Sequence, residues 1–234
     1  MNKIAGSLVM TSALLVMATM PMMVQAATNT QGTTAVTTTF TKGTSPVSPV
    51  EPTNPNQPTT AGDASNGATG GAELALIYVT NSLGFGSHAL DVLNNQAYKV
   101  DTTSSASALW DSKAVVEVAD VRGTGAGWNL TVTGENLTST TGAIVKGASV
   151  TLPTGAVTNS GNTVNGAVSV GSNVALAKAG SASQVLTAAK DNGTGVTVDQ
   201  LSPSGLTLNV PANTVQAQTY ATTLNWNLSD IPVS

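Results

Sequence analysis

From Glu73 onward no run of apolar residues goes far before Gly, Asn, Ser or Thr interrupts it, and no segment sustains a convincing 3.6-residue period. A chain punctuated in this way folds as short strands or does not fold. The candidate strands are Leu74–Thr80, Ala97–Val100, Ala114–Arg122, Trp128–Thr133, Ala143–Leu152, Val164–Val170, Val174–Ala177, Val196–Val198, Leu206–Val210 and Tyr220–Leu228. Ala182–Ala189 is the one stretch that reads as one or two helical turns. The expected fold class is all-β, and the strand count suits a barrel or a two-layer sandwich. Of these we expect an immunoglobulin-like two-layer β-sandwich with Greek-key character, preceded by a disordered Thr/Pro-rich linker.

Only 9% of the 234 residues are charged and 3% aromatic, and there is no cysteine. An exported protein of this kind rests on its β core alone, a habit commoner among Gram-positive surface proteins than among eukaryotic ectodomains. Export itself is read from the N-terminus: Lys3, an apolar run from Leu8 to Met17, and small residues around Val24-Gln25-Ala26 make a signal peptide over residues 1–26. The apolar run is shorter than the roughly 20 residues a spanning helix needs, so no membrane insertion is expected. The net charge of −4, one unit more negative without Lys3, argues against nucleic acid as a partner.

Residues 27–72 read as a Thr/Pro/Gly-rich linker with too few apolar side chains to offset its ordering entropy. Pro46, Pro49, Pro52, Pro55 and Pro58 recur every third residue, the repeat of a polyproline II helix. Such a run would form a semi-rigid spacer of roughly 40 Å. The folded domain is expected at residues 73–234.

Within that domain Trp-Asn-Leu occurs twice, at Trp128–Leu130 and at Trp226–Leu228, in a chain with three tryptophans. Strand alternation groups Trp128, Leu130 and Val132 on one side, opposite Asn129, Thr131 and Thr133. It likewise groups Tyr220, Leu224, Trp226 and Leu228, opposite Asn225 and Asn227. Each Trp therefore shares a face with its Leu while the Asn looks away. The two copies are expected to lie close together, with Trp and Leu turned inward. A Trp can also stack on a sugar face, but the flanking apolar alternation favours a core position.

Catalytic chemistry is sparse. His88, the single histidine, has no Ser and Asp at triad-like spacing and reads as a loop or strand-edge residue. With no cysteine and scattered acids, neither a metal site nor a cofactor is expected. Asp191–Gly195 lacks the spaced carboxylates of a calcium loop and reads as a Gly-rich turn. Glu117 with Asp120, or Asp101 with Asp111, could be paired on paper for glycosidic cleavage, but they read as solvated surface acids. Alternation places Asp120 and Arg122, the only arginine, on one side of a strand end. There they could contact a ligand, form an ion pair, or leave the carboxylate to fix the turn into the next strand.

The segments VADVRG (Val118–Gly123), GWNLTVT (Gly127–Thr133), LNVP (Leu208–Pro211) and YATTLNWNLSDIP (Tyr220–Pro232) together resemble the WxL domain of Gram-positive cell-surface proteins. Lys190–Val198 departs from that pattern in lacking an aromatic residue. The resemblance implies a non-enzymatic, secreted protein attached without a covalent bond to the cell wall, with peptidoglycan as ligand and other cell-surface proteins as further partners. It marks Trp128, Leu130, Trp226, Leu228, Asp120, Arg122 and Tyr220 as motif residues, structural or binding. The closing Asp230–Ser234 carries no LPXTG-type sorting signal, which fits non-covalent attachment. Two other readings stay open: a structural subunit docking by a sheet edge onto a membrane-anchored partner, and a secreted polysaccharide-cleaving enzyme, against which the thin catalytic inventory counts.

Overall fold

The computed structural model describes residues 32–43, 46–60, 65–103, 108–162, 166–178 and 180–231. The expected signal peptide and its cleavage point lie outside these residues. The chain divides into an N-terminal unit, Met1–Thr39, and a body, Phe40–Ser234. In the first, residues 32–39 are exposed and without regular secondary structure.

The body is all-β. Its strands are β1 (Val50–Glu51), β2 (Asn54–Pro58), β3 (Leu74–Val79), β4 (Gln96–Lys99), β5 (Ala114–Asp120), β6 (Trp128–Gly134), β7 (Thr138–Ser139), β8 (Ser149–Leu152), β9 (Ala156–Asn159), β10 (Ala167–Ser169), β11 (Ser172–Ala175), β12 (Ser183–Ala188), β13 (Gly195–Leu201), β14 (Thr207–Val210), β15 (Tyr220–Ala221) and β16 (Leu224–Ser229). Among the described residues they form three four-stranded sheets, ordered β3-β5-β13-β9, β10-β12-β6-β16 and β11-β8-β14-β4, with smaller pairs β1-β2 and β15-β7. Among the described residues no helix is long and apolar enough to cross a membrane.

The first two sheets face each other. Val79, Val116 and Val118 of one pack with Trp128, Leu130, Leu186 and Ala188 of the other in a single apolar core. β6 accordingly alternates buried and half-buried residues along its length, the pattern of a sheet with one wet face. On β5, by contrast, all seven residues are buried. Its second face carries Val115 and Ala119, which pack with Val50, Ile77, Tyr78, Trp110 and Val198. The third sheet closes on a separate core that includes Val132, Leu152, Val174, Leu201 and Leu206.

Val50, buried in the second β5 core, comes from the stretch expected to be a proline spacer. Residues 50–58 instead form an antiparallel hairpin, with Val50 opposite Pro58 and Glu51 opposite Asn54. Pro52 and Pro55 are buried, and the Pro52 carbonyl accepts hydrogen bonds from Thr158 Oγ1 at 3.2 Å and Gln200 Nε2 at 3.0 Å. These partners lie more than 100 residues away, so no local signal could have placed the hairpin.

The helical expectation at Ala182–Ala189 is also corrected. Ser183–Ala188 is strand β12, paired with β10 on one side and β6 on the other. A register shift between Gln184 and Leu186 puts Val185 and Leu186 both indoors, which breaks the two-residue period by which the strand would have been recognised. β9, a four-residue edge strand of two apolar and two polar residues, gave no sequence signal either.

Candidate functional site

The two Trp-Asn-Leu segments lie on neighbouring antiparallel strands. Leu228 sits opposite Leu130, Trp226 opposite Val132 and Asn227 opposite Thr131. Trp128, Leu130, Trp226 and Leu228 all meet in the core between the first two sheets, as alternation predicted.

The two tryptophans are nevertheless not equivalent. Trp128, on inner strand β6, is fully buried, and its indole Nε1 donates to the Gly193 carbonyl at 3.1 Å. Two glycines shape its seat. Gly193 has φ +77°, and a Cβ there would overlap both Trp128 Nε1 and Ala188 Cβ. Gly127, at φ +76°, lies where a Cβ would come within 2.5 Å of the Ala188 carbonyl oxygen. Trp226, on edge strand β16, is only half-buried.

Asp120 and Arg122 form the ion pair weighed from the sequence. Arg122 Nε donates to Asp120 Oδ1 at 3.0 Å and Nη2 to Oδ2 at 2.8 Å, while the Arg122 backbone N–H reaches Oδ1 at 3.1 Å. Nη2 also donates to the Gly127 carbonyl at 2.8 Å, so the pair holds the turn that delivers Trp128 to its seat. Hydrogen bonding to Asp120 raises the Arg122 pKa, with a further contribution from the Asp230 charge. Arg122, Glu73, Leu74, Leu228 and Asp230 line an open cleft of about 500 Å³. Tyr220 lies apart: β15 pairs with β7, its side chain packs on the third-sheet core, and its hydroxyl accepts the Gln216 N–H at 3.0 Å.

Turning the Trp and Leu side chains inward leaves the opposite face of the same sheet polar. Strand register arranges it in rows: Thr187, Asn129 and Ser229; Gln184, Thr131 and Asn227; Thr133 and Asn225. These side chains are half-buried or exposed and none is charged. Asn129 and Asn227 are both on this face, with Asn227 exposed and Asn129 half-buried, its Oδ1 enclosed and without a hydrogen-bond partner among the described residues. Alternation had already grouped Asn129, Thr131, Thr133, Asn225 and Asn227. Gln184 and Thr187 were missed because β12 had been read as a helix.

The acids need correcting. Glu117 and Asp120, expected as solvated surface carboxylates, are 0% and 2% exposed, because β5 is covered on both faces. Glu117 Oε2 accepts the Val50 N–H at 3.0 Å, and Oε1 has no partner among the described residues. Burial pushes the Glu117 carboxyl up to about 7, against the opposing Val50 hydrogen bond. Asp199, on the other face of the same sheet, accepts Ser169 Oγ–H at 2.6 Å, and burial raises its pKa to about 6. Strand alternation separates the two acids, so they do not act as a catalytic pair. His88 is exposed in a loop, stacks on Tyr98 with ring centroids 3.8 Å apart and donates to the Phe85 carbonyl. Asp191–Gly195 links β12 to β13 as the expected turn, with Asp191, Gly193 and Gly195 at positive φ. Among the described residues no three His, Asp or Glu side chains cluster as metal ligands would.

Comparison with curated proteins and with solved structures gives no match. A family model described as a WxL domain, surface cell wall-binding, matches residues 27–232, including the β1-β2 hairpin as well as both Trp-Asn-Leu strands. The chain belongs to the WxL-domain family of cell-wall-binding surface proteins.

Proposed function

We propose that this chain is secreted by a Gram-positive bacterium, and that it attaches without a covalent bond to peptidoglycan, as a binding protein and not an enzyme. The observation that carries the reading is the uncharged outer face of β12, β6 and β16. Rows of Asn, Thr, Ser and Gln at strand spacing offer donors and acceptors in a fixed grid, matched to sugar hydroxyls and acetamido groups. The core side chains Trp128, Leu130 and Leu186 anchor those strands from the inner face, which lowers the ordering cost of binding. In this reading the Trp-Asn-Leu repeat builds the platform with Trp and Leu and presents it with Asn.

Pelleting with purified, protein-free sacculi tests it. Cosedimentation that saturates with chain concentration is expected, and loss of binding is expected when Thr131 and Asn227 are both changed to Ala. A chain that stays in the supernatant, yet is captured by a membrane-anchored surface protein, would replace this reading with the scaffold-subunit one.

A further inference from the structure

The outer edge of the Trp-Asn-Leu sheet is open. β16 ends the order β10-β12-β6-β16, so one side of it pairs with no strand among the described residues. The direction of its free groups follows from one bond: Glu135 N–H donates to the Thr223 carbonyl at 2.9 Å, and these two residues are opposite one another in the β6–β16 ladder. Because hydrogen-bonded pairs alternate along an antiparallel ladder, Asn225, Asn227 and Ser229 also turn their amides and carbonyls toward β6. The N–H and C=O groups of Leu224, Trp226 and Leu228 therefore point out from the sheet.

Three other edges, β3, β10 and β4, carry guards. Asn66 crosses the outer side of β3, donating Nδ2 to the Ile77 carbonyl at 2.9 Å and accepting the Val79 N–H at 3.3 Å, and β3 carries a register shift. β10 is three residues long, and β4 ends in Lys99. β16 is six residues long and uncharged, with no proline and no shift in its ladder. Within its own length it has none of the charge, proline, bulge or shortness that keeps edges from pairing.

Its sequence also says what fits there. Leu224-Asn225-Trp226-Asn227-Leu228 reads the same in both directions about Trp226. We propose that β16 pairs with β16 of a second copy of this chain, antiparallel about a two-fold axis at Trp226, making one continuous sheet from two four-stranded ones. In that register Leu224 meets Leu228 of the second copy, Asn225 meets Asn227, and Trp226 meets its own copy. The outward groups supply roughly six backbone hydrogen bonds. Ser229 and Asp230 fall opposite Thr223 and Thr222, so no like charges face each other. Each half-buried Trp226 gains an aromatic neighbour across the new strand pair. A foreign strand could use the same hydrogen bonds, but only a second copy matches L-N-W-N-L side chain for side chain. An interface of one strand is small, so the dimer forms and dissociates with concentration. Pairing rests on the edge alone and does not depend on what the outer face binds.

The test is sedimentation velocity on the chain from Ala27 onward, the expected exported form, from about 1 μM to about 1 mM. A monomer–dimer equilibrium is expected. Asn225→Lys with Asn227→Lys places lysines opposite one another at two exposed positions and should weaken the dimer about tenfold or more, with an unchanged circular dichroism spectrum. Asn225→Glu with Asn227→Glu should do the same, and an equimolar mixture of the two variants should recover the dimer. On the unsubstituted chain, amide exchange at Leu224, Trp226 and Leu228 should slow as concentration rises. A monomer throughout this range overturns the proposal. So does a dimer that ignores both charge variants, or edge amides that gain protection only when a different protein's strand is supplied.

Discussion

Glu117 ties the proline-rich hairpin to the sheet, and its burial makes stability depend on pH in a defined direction. Its folded pKa of about 7 stands above the ordinary 4.5, so the folded state holds this proton more tightly than the unfolded chain does. The stabilisation from keeping it is complete below about pH 4.5, declines as pH rises toward 7 and is gone above that. A displacement of that size corresponds to about 3 kcal/mol between the two limits. Glu117→Gln removes the titration while keeping an oxygen to accept the Val50 N–H, and its amide replaces the buried carboxylic acid. In urea unfolding the variant should match the original chain near pH 4 and exceed it by about 3 kcal/mol near pH 8. Asp199, raised to about 6, adds a second decline between about pH 4 and 6 that the variant retains. Equal pH slopes for variant and original chain across pH 5 to 8 would refute the role assigned to Glu117.

Other perturbations probe the Trp128 seat. Asp120→Asn leaves Arg122 partly buried without its carboxylate and should cost about 2–3 kcal/mol in unfolding free energy, read as a lower urea midpoint. Gly193→Ala combines a positive φ with overlap on the indole, and should cost about 2 kcal/mol or more while shifting Trp128 emission to the red. In single-tryptophan variants that replace the other two by Phe, acrylamide should quench Trp226 measurably and Trp128 hardly at all. Equal quenching would contradict the inner-strand and edge-strand placement of the two copies.

Legibility in the sequence followed the range of the interactions involved. β6 was readable because Trp128, Leu130 and Val132 alternate strictly with Asn129, Thr131 and Thr133, so one local period reports one dry face and one wet one. The Asp120–Arg122 pair was readable for the same reason, its members being two residues apart at a strand end. β12 was not, because its register shift turns two successive side chains inward and leaves a pattern that a helix also produces. The hairpin at 50–58 was lost for a different reason. Its prolines mimic a solvated spacer, and the bond that holds Val50 comes from Glu117, 67 residues away. The same non-local covering turned Glu117 from an expected surface acid into a buried one. Of the polar face, the β6 and β16 contributions were visible, while Gln184 and Thr187 depended on recognising β12.

Binding to sacculi before and after hydrofluoric acid removes the accessory wall polymers tests the proposed ligand most directly. Peptidoglycan recognition by the Asn and Thr face predicts that stripped sacculi bind the chain with undiminished capacity, and that soluble muropeptides compete. Binding that disappears with the accessory polymers would contradict it, and would assign the wall attachment of this chain to a different polymer.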